Sequence, residues 1–237
     1  MIRPLEFRCE PPSDNSSHLD RRSAPKMPVV PKFRLIYFDR EGRAEVSRLM
    51  FHDANVNFED HRIQFDDWPA LKSSFPNEQL PVLEYNGKQL GQSDAINRFL
   101  AKLFGYYGIN EWDCARIDEI VSTFADVVSQ LVTVILEDNA EAKIEKYNNA
   151  MEHHVYPFYQ MLETRLQAKS NHNWLVGNDI SLADFALFNV TWNLHHNKGF
   201  PDNAFPLEDF NLLSLIVQRV GSRPNLKQYL AGKKRNN

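Results

Sequence analysis

Residues 81–104 read PVLEYNGKQLGQSDAINRFLAKLF. The first five, Pro81-Val-Leu-Glu-Tyr85, have the apolar and aromatic content of a strand. A proline gives no N–H to a ladder, so it belongs at the start or edge of such a strand. Asn86-Gly87 follows, and this pair is favoured in tight hairpin turns because both residues tolerate positive φ. Lys88-Gln-Leu90 is the return strand. Ser93 is then the expected helix N-cap, and Ile96, Phe99, Leu100, Leu103 and Phe104 keep helical spacing. The segment reads β-β-α.

Upstream, Phe33-Arg-Leu-Ile-Tyr-Phe38 is a short apolar run suited to a buried strand. Arg43 to Ala54 has helix-forming composition, and Phe58 to Ile63 suits a second strand. The first half is thus β-α-β, a middle segment, then β-β-α. Downstream, Gly105 to Asp113 is a polar connector, and the rest reads as all-helical. Ile117, Ile120, Val121, Phe124, Val128, Leu131, Val132 and Ile135 fit one face of a long helix. A second helix is expected from about Ala140 to Ala168, bent near Pro157. A third starts at Ser181, with Asp184 at its third position and Ile180 placed to staple onto Phe185. No internal repeat is present.

The chain has 237 residues with 43% hydrophobic and 24% charged, enough apolar material for a real core. Its net charge of −4 carries no basic surplus of the kind a nucleic-acid partner requires. Lys233, Lys234 and Arg235 are the one basic cluster, and their terminal position predicts a solvated tail. No apolar run approaches the ~20 residues needed to cross a bilayer. The N-terminus lacks the apolar core of a signal peptide. The two cysteines, Cys9 and Cys114, make no CxxC and no metal pattern, which predicts a reducing, cytoplasmic setting and no bound metal. Residues 1–30 are rich in proline and serine without an apolar period, so a disordered arm is expected there, with Met27 a candidate internal start.

Several residues have the chemistry of a site. Gln92-Ser93 stands at a helix start, where free N–H groups and the positive helix end suit a carboxylate. Tyr37 ends the first strand and Arg43 opens the next helix. A tyrosine hydroxyl, pKa ~10, is a donor at pH 7. Donated to a sulfur, it favours thiolate over thiol. Lowering a thiol pKa by two units takes ~2.7 kcal/mol, the scale of one hydroxyl donor plus a nearby cation. Trp68 and Lys72 are four apart and share a helix face, offering an indole N–H and a charge. Singly, each has a plainer use as cap, core aromatic or surface charge.

In combination and order, the motifs resemble the glutathione transferase family, specifically the sigma-type proteins of invertebrates and the related vertebrate prostaglandin D synthase. They are Leu35-Ile-Tyr37-Phe38 with Gly42-Arg-Ala-Glu45, Glu59-Asp-His-Arg62, Asp67-Trp-Pro69 with Lys72, Leu80-Pro-Val-Leu83, and Gly91-Gln-Ser-Asp-Ala-Ile96. Trp174-Leu-Val-Gly-Asn178 and Ser181-Leu-Ala-Asp-Phe185 continue the likeness, which runs from about residue 31 to the C-terminus.

The resemblance implies a thioredoxin-like glutathione-binding domain at 31–107, a helical domain with a hydrophobic substrate pocket at 114–237, and a homodimer. By position, Tyr37 matches the tyrosine that hydrogen-bonds the glutathione sulfur. Phe38, Arg43, Trp68, Lys72, Gln79, Leu80, Gln92 and Ser93 match glutathione-contacting positions. Pro81 matches a cis-proline that exposes the Leu80 backbone to the cysteinyl part, and Asp126 an acidic residue that reaches across the dimer.

Two positions depart from the pattern. Glu41 stands where an arginine or small residue is common, placing a negative charge near Arg43. Thr133 stands where the prostaglandin synthase has an aromatic pocket residue. The expected activity is conjugation of glutathione, as a thiolate, to hydrophobic electrophiles. The alternatives are prostaglandin isomerisation, or a carrier or structural protein on the same fold. A thioredoxin-type redox role has no cysteine at the first helix to serve it.

Overall fold

A computed structural model describes residues 32–201 and 205–233. The expected disordered arm, Met27, Lys234 and Arg235 lie outside these residues. The sheet has four strands: β1 (Phe33–Phe38), β2 (Glu59–Ile63), β3 (Val82–Tyr85) and β4 (Lys88–Gly91), in the order β2-β1-β3-β4. β1 and β2 are parallel, so a crossover must join them, and α1 (Glu45–Asp53) supplies it. β3 and β4 are antiparallel and joined at Asn86 and Gly87, with φ of +49° and +78°. Both central residues being left-handed is the condition that favours Asn-Gly in a two-residue hairpin turn.

Alternation along the strands gives the sheet two apolar faces. Phe33, Leu35, Tyr37 and Leu83 enter the main core with residues of α1 and of α3 (Ser93–Phe104). Ile36, Ile63 and Val82 point the other way and are covered by Phe75 and Leu80. The middle segment is thus the sheet's second lid, carrying a short helix α2 (Trp68–Leu71) and tight turns.

The second half is helical: α4 (Glu111–Ile135), α5 (Ala140–Ala150), α6 (Tyr156–Gln167), α7 (Leu182–His196), α8 (Asn211–Gly221) and α9 (Pro224–Lys233). This is the thioredoxin-like sheet followed by helices that the family resemblance implies. The α4 stripe splits in two. Ile117, Ile120, Val121, Phe124, Val127, Leu131 and Val134 are buried, whereas Val128, Val132 and Ile135 are half-buried. The expected bend near Pro157 is a wide turn at Met151–Val155, just before the proline enters α6. A widened turn accommodates a residue that has no N–H and crowds the preceding turn.

α7 is apolar on nearly every side and almost wholly buried. Ser181 and Asp184 form the expected capping box at its start, and Ile180 and Phe185 are both buried beside it. The α8–α9 corner is tied to the first domain through Asp53. That buried carboxylate accepts from Tyr106 Oη at 2.8 Å and Arg223 at 2.8 Å, and Asn225 Nδ2 donates to its backbone carbonyl at 3.2 Å. The Lys233 side chain is 13% exposed and paired with Glu41 and Glu45, so the solvated tail expected from sequence is corrected at this residue.

Candidate active site

Tyr37 is near the end of β1 on the strand face that enters the main core, and only 7% of it is exposed. Its Oη accepts a hydrogen bond from the backbone N–H of Arg43 at 3.2 Å. Among the described residues the hydroxyl proton itself goes to no acceptor. A hydroxyl that accepts one bond is polarised to donate another.

Gly42 makes this approach possible. Its φ is +47°, and a Cβ there would stand 2.6 Å from Tyr37 Oη and 2.8 Å from the ring edge. Only a residue without a side chain satisfies both conditions.

Next to Tyr37, a cavity of about 420 Å³ is lined by Phe38, Arg43, Trp68, Lys72, Glu78, Gln79, Leu80, Pro81, Gln92 and Ser93. Nine of the eleven residues expected from sequence therefore share one wall. The Leu80–Pro81 peptide is cis, and the backbone N–H and C=O of Leu80 pair with nothing among the described residues.

One local expectation is corrected. Gln92, not Ser93, is the N-cap of α3, with φ of +69°. Ser93 is the first helical residue. The first intrahelical bond runs from Ile96 N–H to Gln92 C=O, so the amides of Ser93, Asp94 and Ala95 have no helical acceptor. Gln92 Nε2 donates to Gln79 Oε1 at 3.0 Å, which spans the cavity rim. Lys72 meets Glu78 only at 3.8 Å, both half-exposed or more, a pair too solvated to occupy it. The cavity thus gathers the α3 amides, the Leu80 N–H and the Lys72 ammonium, donors that suit carboxylates.

A second cavity of about 510 Å³ adjoins the first, sharing Phe38 and Arg43 and including Tyr37 and Glu41. Its far wall is apolar: Val128, Leu131, Val132 and Ile135 from α4, with Val190 and Phe200. Asn189 and Asn193 of α7 add polar points. Phe65 completes the near wall, stacked on Phe38 with centroids 4.4 Å apart at 7°. None of these was expected as a site residue. Val128, Val132 and Ile135 were legible only as helical stripe, and Phe65 carried no signal beyond its place beside the Asp67-Trp-Pro69 motif.

Asp126 is exposed on α4 and lines neither cavity, so the fold of one chain does not bring it to the others. Among the described residues, no group of three or more acidic, His or Cys side chains is arranged to hold a metal. No helix there is long and apolar enough to cross a membrane.

Two family models match. The glutathione S-transferase N-terminal domain matches residues 34–102, and the C-terminal domain matches 125–233. Glutathione S-transferase 3 of Caenorhabditis elegans is 33% identical over 205 residues, 84% of this chain and 95% of that protein. Hematopoietic prostaglandin D synthase of Homo sapiens is 35% identical over 156 residues, 66% of this chain and 76% of that one. The crystal structure of the glutathione S-transferase from Ascaris lumbricoides superposes with a TM-score of 0.70 at 31% identity, covering 85% of this chain and 97% of that one. With both halves matched and a relative 33% identical over nearly its whole length, the chain belongs to the glutathione S-transferase family.

Proposed function

We propose that this glutathione transferase holds glutathione in the polar cavity, donates the Tyr37 hydroxyl to its sulfur, and delivers the thiolate to a hydrophobic electrophile in the adjoining apolar cavity. The supporting observation is the Tyr37 hydroxyl. It accepts from the Arg43 amide and keeps its own proton for another acceptor, next to two residues common to both cavities.

The donors divide by chemistry. The α3 amides and the Ser93 hydroxyl, with Gln92 beside them, suit the γ-glutamyl carboxylate. Lys72 and the Trp68 indole suit the glycyl carboxylate. The free Leu80 N–H and C=O suit the cysteinyl backbone. The thiol proton leaves to solvent, and the sulfur forms the new C–S bond as the electrophile's leaving group or π-electrons depart. The Arg43 guanidinium, exposed and without an ion pair among the described residues, adds positive charge near the sulfur.

Calorimetry should give a glutathione Kd between about 1 μM and 1 mM, the range usual for enzyme substrates. No heat at millimolar glutathione would overturn the proposal. Gly42→Ala should lower turnover about tenfold or more, because the new Cβ displaces Tyr37 Oη by direct contact. Turnover and melting temperature together check this. Full activity in Gly42→Ala would show that the placement of Oη is immaterial.

The protein is further read as a sigma-type, cytoplasmic, detoxifying homodimer, with exposed Asp126 reaching the partner's site. Light scattering at micromolar concentration should give twice the 27.6 kDa chain mass. An active monomer would contradict the role given to Asp126. The prostaglandin isomerase reading is disfavoured at position 133. Thr133 is exposed, donates to Gln130 C=O at 2.7 Å, and stands outside the apolar cavity. A carrier without turnover would have no use for Tyr37, Arg43, Gln92 and Ser93 together.

A further inference from the structure

Lys233 is the last described residue of α9, yet its charge is spent inside the molecule. Its Nζ donates to Glu41 Oε1 at 2.8 Å and also to Glu45 Oε1. Tyr229, one turn earlier, donates to the same Glu45 oxygen at 2.9 Å and stacks on His52 with centroids 4.0 Å apart. The other Glu45 oxygen accepts from Arg48 at 3.2 Å. Arg48, fully buried, also donates to the carbonyls of Arg40 at 2.9 Å and Glu41 at 3.1 Å. The turn entering Gly42 and Arg43 is therefore held twice, by its backbone through Arg48 and by its acidic side chain through Lys233.

We infer that Lys233 is a positioning residue for conjugation: by pairing with Glu41 it keeps a carboxylate on the cavity wall from opposing the thiolate beside Tyr37. This rests on the role proposed for Tyr37. Glu41 lines the apolar cavity with Tyr37 and Arg43, next in sequence to Gly42, where an added Cβ would meet the Tyr37 ring. A like charge near an acid disfavours ionisation, and a paired one does so far less. Arg43 lines the same cavity and makes no ion pair among the described residues, so an unpaired Glu41 would also draw it away from the sulfur.

The remaining charges leave this assignment intact. Arg48 is engaged by Asp60 and Glu45, and Arg62 by Asp60 and Asp39. Arg40 lies over the Phe65 ring. His196 and Lys198 stand on the same cavity at the end of α7. His52, beside Tyr229, is pushed below the usual imidazole range by burial and is neutral at pH 7. Glu41 is 30% exposed, so solvent screens part of the effect.

The test titrates the thiol of bound glutathione in the full-length protein and three variants. Lys233→Met keeps the aliphatic stem and removes the charge. It should raise the thiol pKa by about 0.5–1 unit and lower turnover at pH 6.5 about 3- to 10-fold. Adding Glu41→Gln to Lys233→Met should restore the native value, and Lys233→Arg should keep it. A structural role alone would lower the melting temperature of Lys233→Met and leave its thiol pKa unmoved, and that result overturns the inference. So does an elevated pKa that Glu41→Gln fails to restore. If the wild-type protein shows no bound thiolate, the role of Tyr37 fails first and the inference falls with it.

Discussion

Tyr37→Phe is expected to lower turnover near neutral pH about 10- to 100-fold while leaving glutathione affinity nearly unchanged. The substitution keeps the ring and its packing in a site only 7% exposed, so it opens no cavity. It removes the O–H proposed to donate to the sulfur and leaves the Arg43 amide without its acceptor. A hydrogen bond to a charged group contributes about 1.5–3 kcal/mol, which converts to that range of rates. Affinity should be spared because most of the contacts proposed for glutathione lie on its γ-glutamyl and glycyl ends and its backbone rather than on its thiol. Raising the pH should recover much of the loss, since hydroxide then ionises the thiol unaided. A pH–rate profile of both proteins checks this. Wild-type turnover by Tyr37→Phe at pH 6.5, with chemistry rate-limiting, would move the role to Arg43 or a backbone amide.

Asp184→Ala is expected to destabilise the fold by about 3–5 kcal/mol, with a melting temperature lower by on the order of 10 °C. The carboxylate is fully buried at the start of α7. One oxygen accepts from Leu175 N–H at 2.8 Å, and the other from Ser181 N–H at 2.8 Å and Ser181 Oγ at 2.9 Å. Alanine leaves these three donors buried and unpaired, each at about 1–3 kcal/mol. Because α7 packs against α1, α4 and α8, the loss spreads across both domains.

Burial pushes the Asp184 carboxyl up to about 6, while its three donors pull it down. Its folded pKa thus lies above the unfolded value near 3.8. The stability this group contributes is full below the unfolded pKa and declines as pH rises through about 6. The difference between native protein and Asp184→Ala should therefore be larger at pH 5 than at pH 7.5. Denaturant titrations at both values measure it. A loss below 1 kcal/mol at pH 5 would show that solvent reaches the freed donors.

The element order of the first half was legible because its signals are local, and the resemblance implied the thioredoxin-like fold. Proline at a strand start, Asn-Gly between two short runs and apolar spacing in α3 each act within a few residues. The same compactness made the polar cavity readable, since its residues come in short motifs along 37–93. Ser93 shows the limit of that reading. A serine before a helical run predicts a cap, but Gln92 takes the cap at φ +69° and turns Ser93 into the first helical position. Backbone conformation at one residue decided this, and propensity does not encode it.

The resemblance implied a hydrophobic pocket in the helical half, but the residues that line it were not legible. Its walls come from α4, from the end of α7 and from Phe65, positions that meet only in three dimensions. Along α4, Val128 and Val132 have the same spacing as core residues, and tertiary packing alone makes them a wall. Lys233 failed as an expectation for a related reason. Terminal basic residues are usually solvated, and its partners Glu41 and Glu45 lie 192 and 188 residues away.

The proposed role of Tyr37 is to keep glutathione ionised in the bound state. Titrating the ultraviolet absorbance of the bound thiolate against pH, at saturating glutathione, measures that directly. The wild-type protein should give a sulfur pKa at least about one unit below the free value of ~8.5, and Tyr37→Phe should return it toward that value. Glutathione that binds the wild-type protein with its thiol pKa unchanged would contradict the claim.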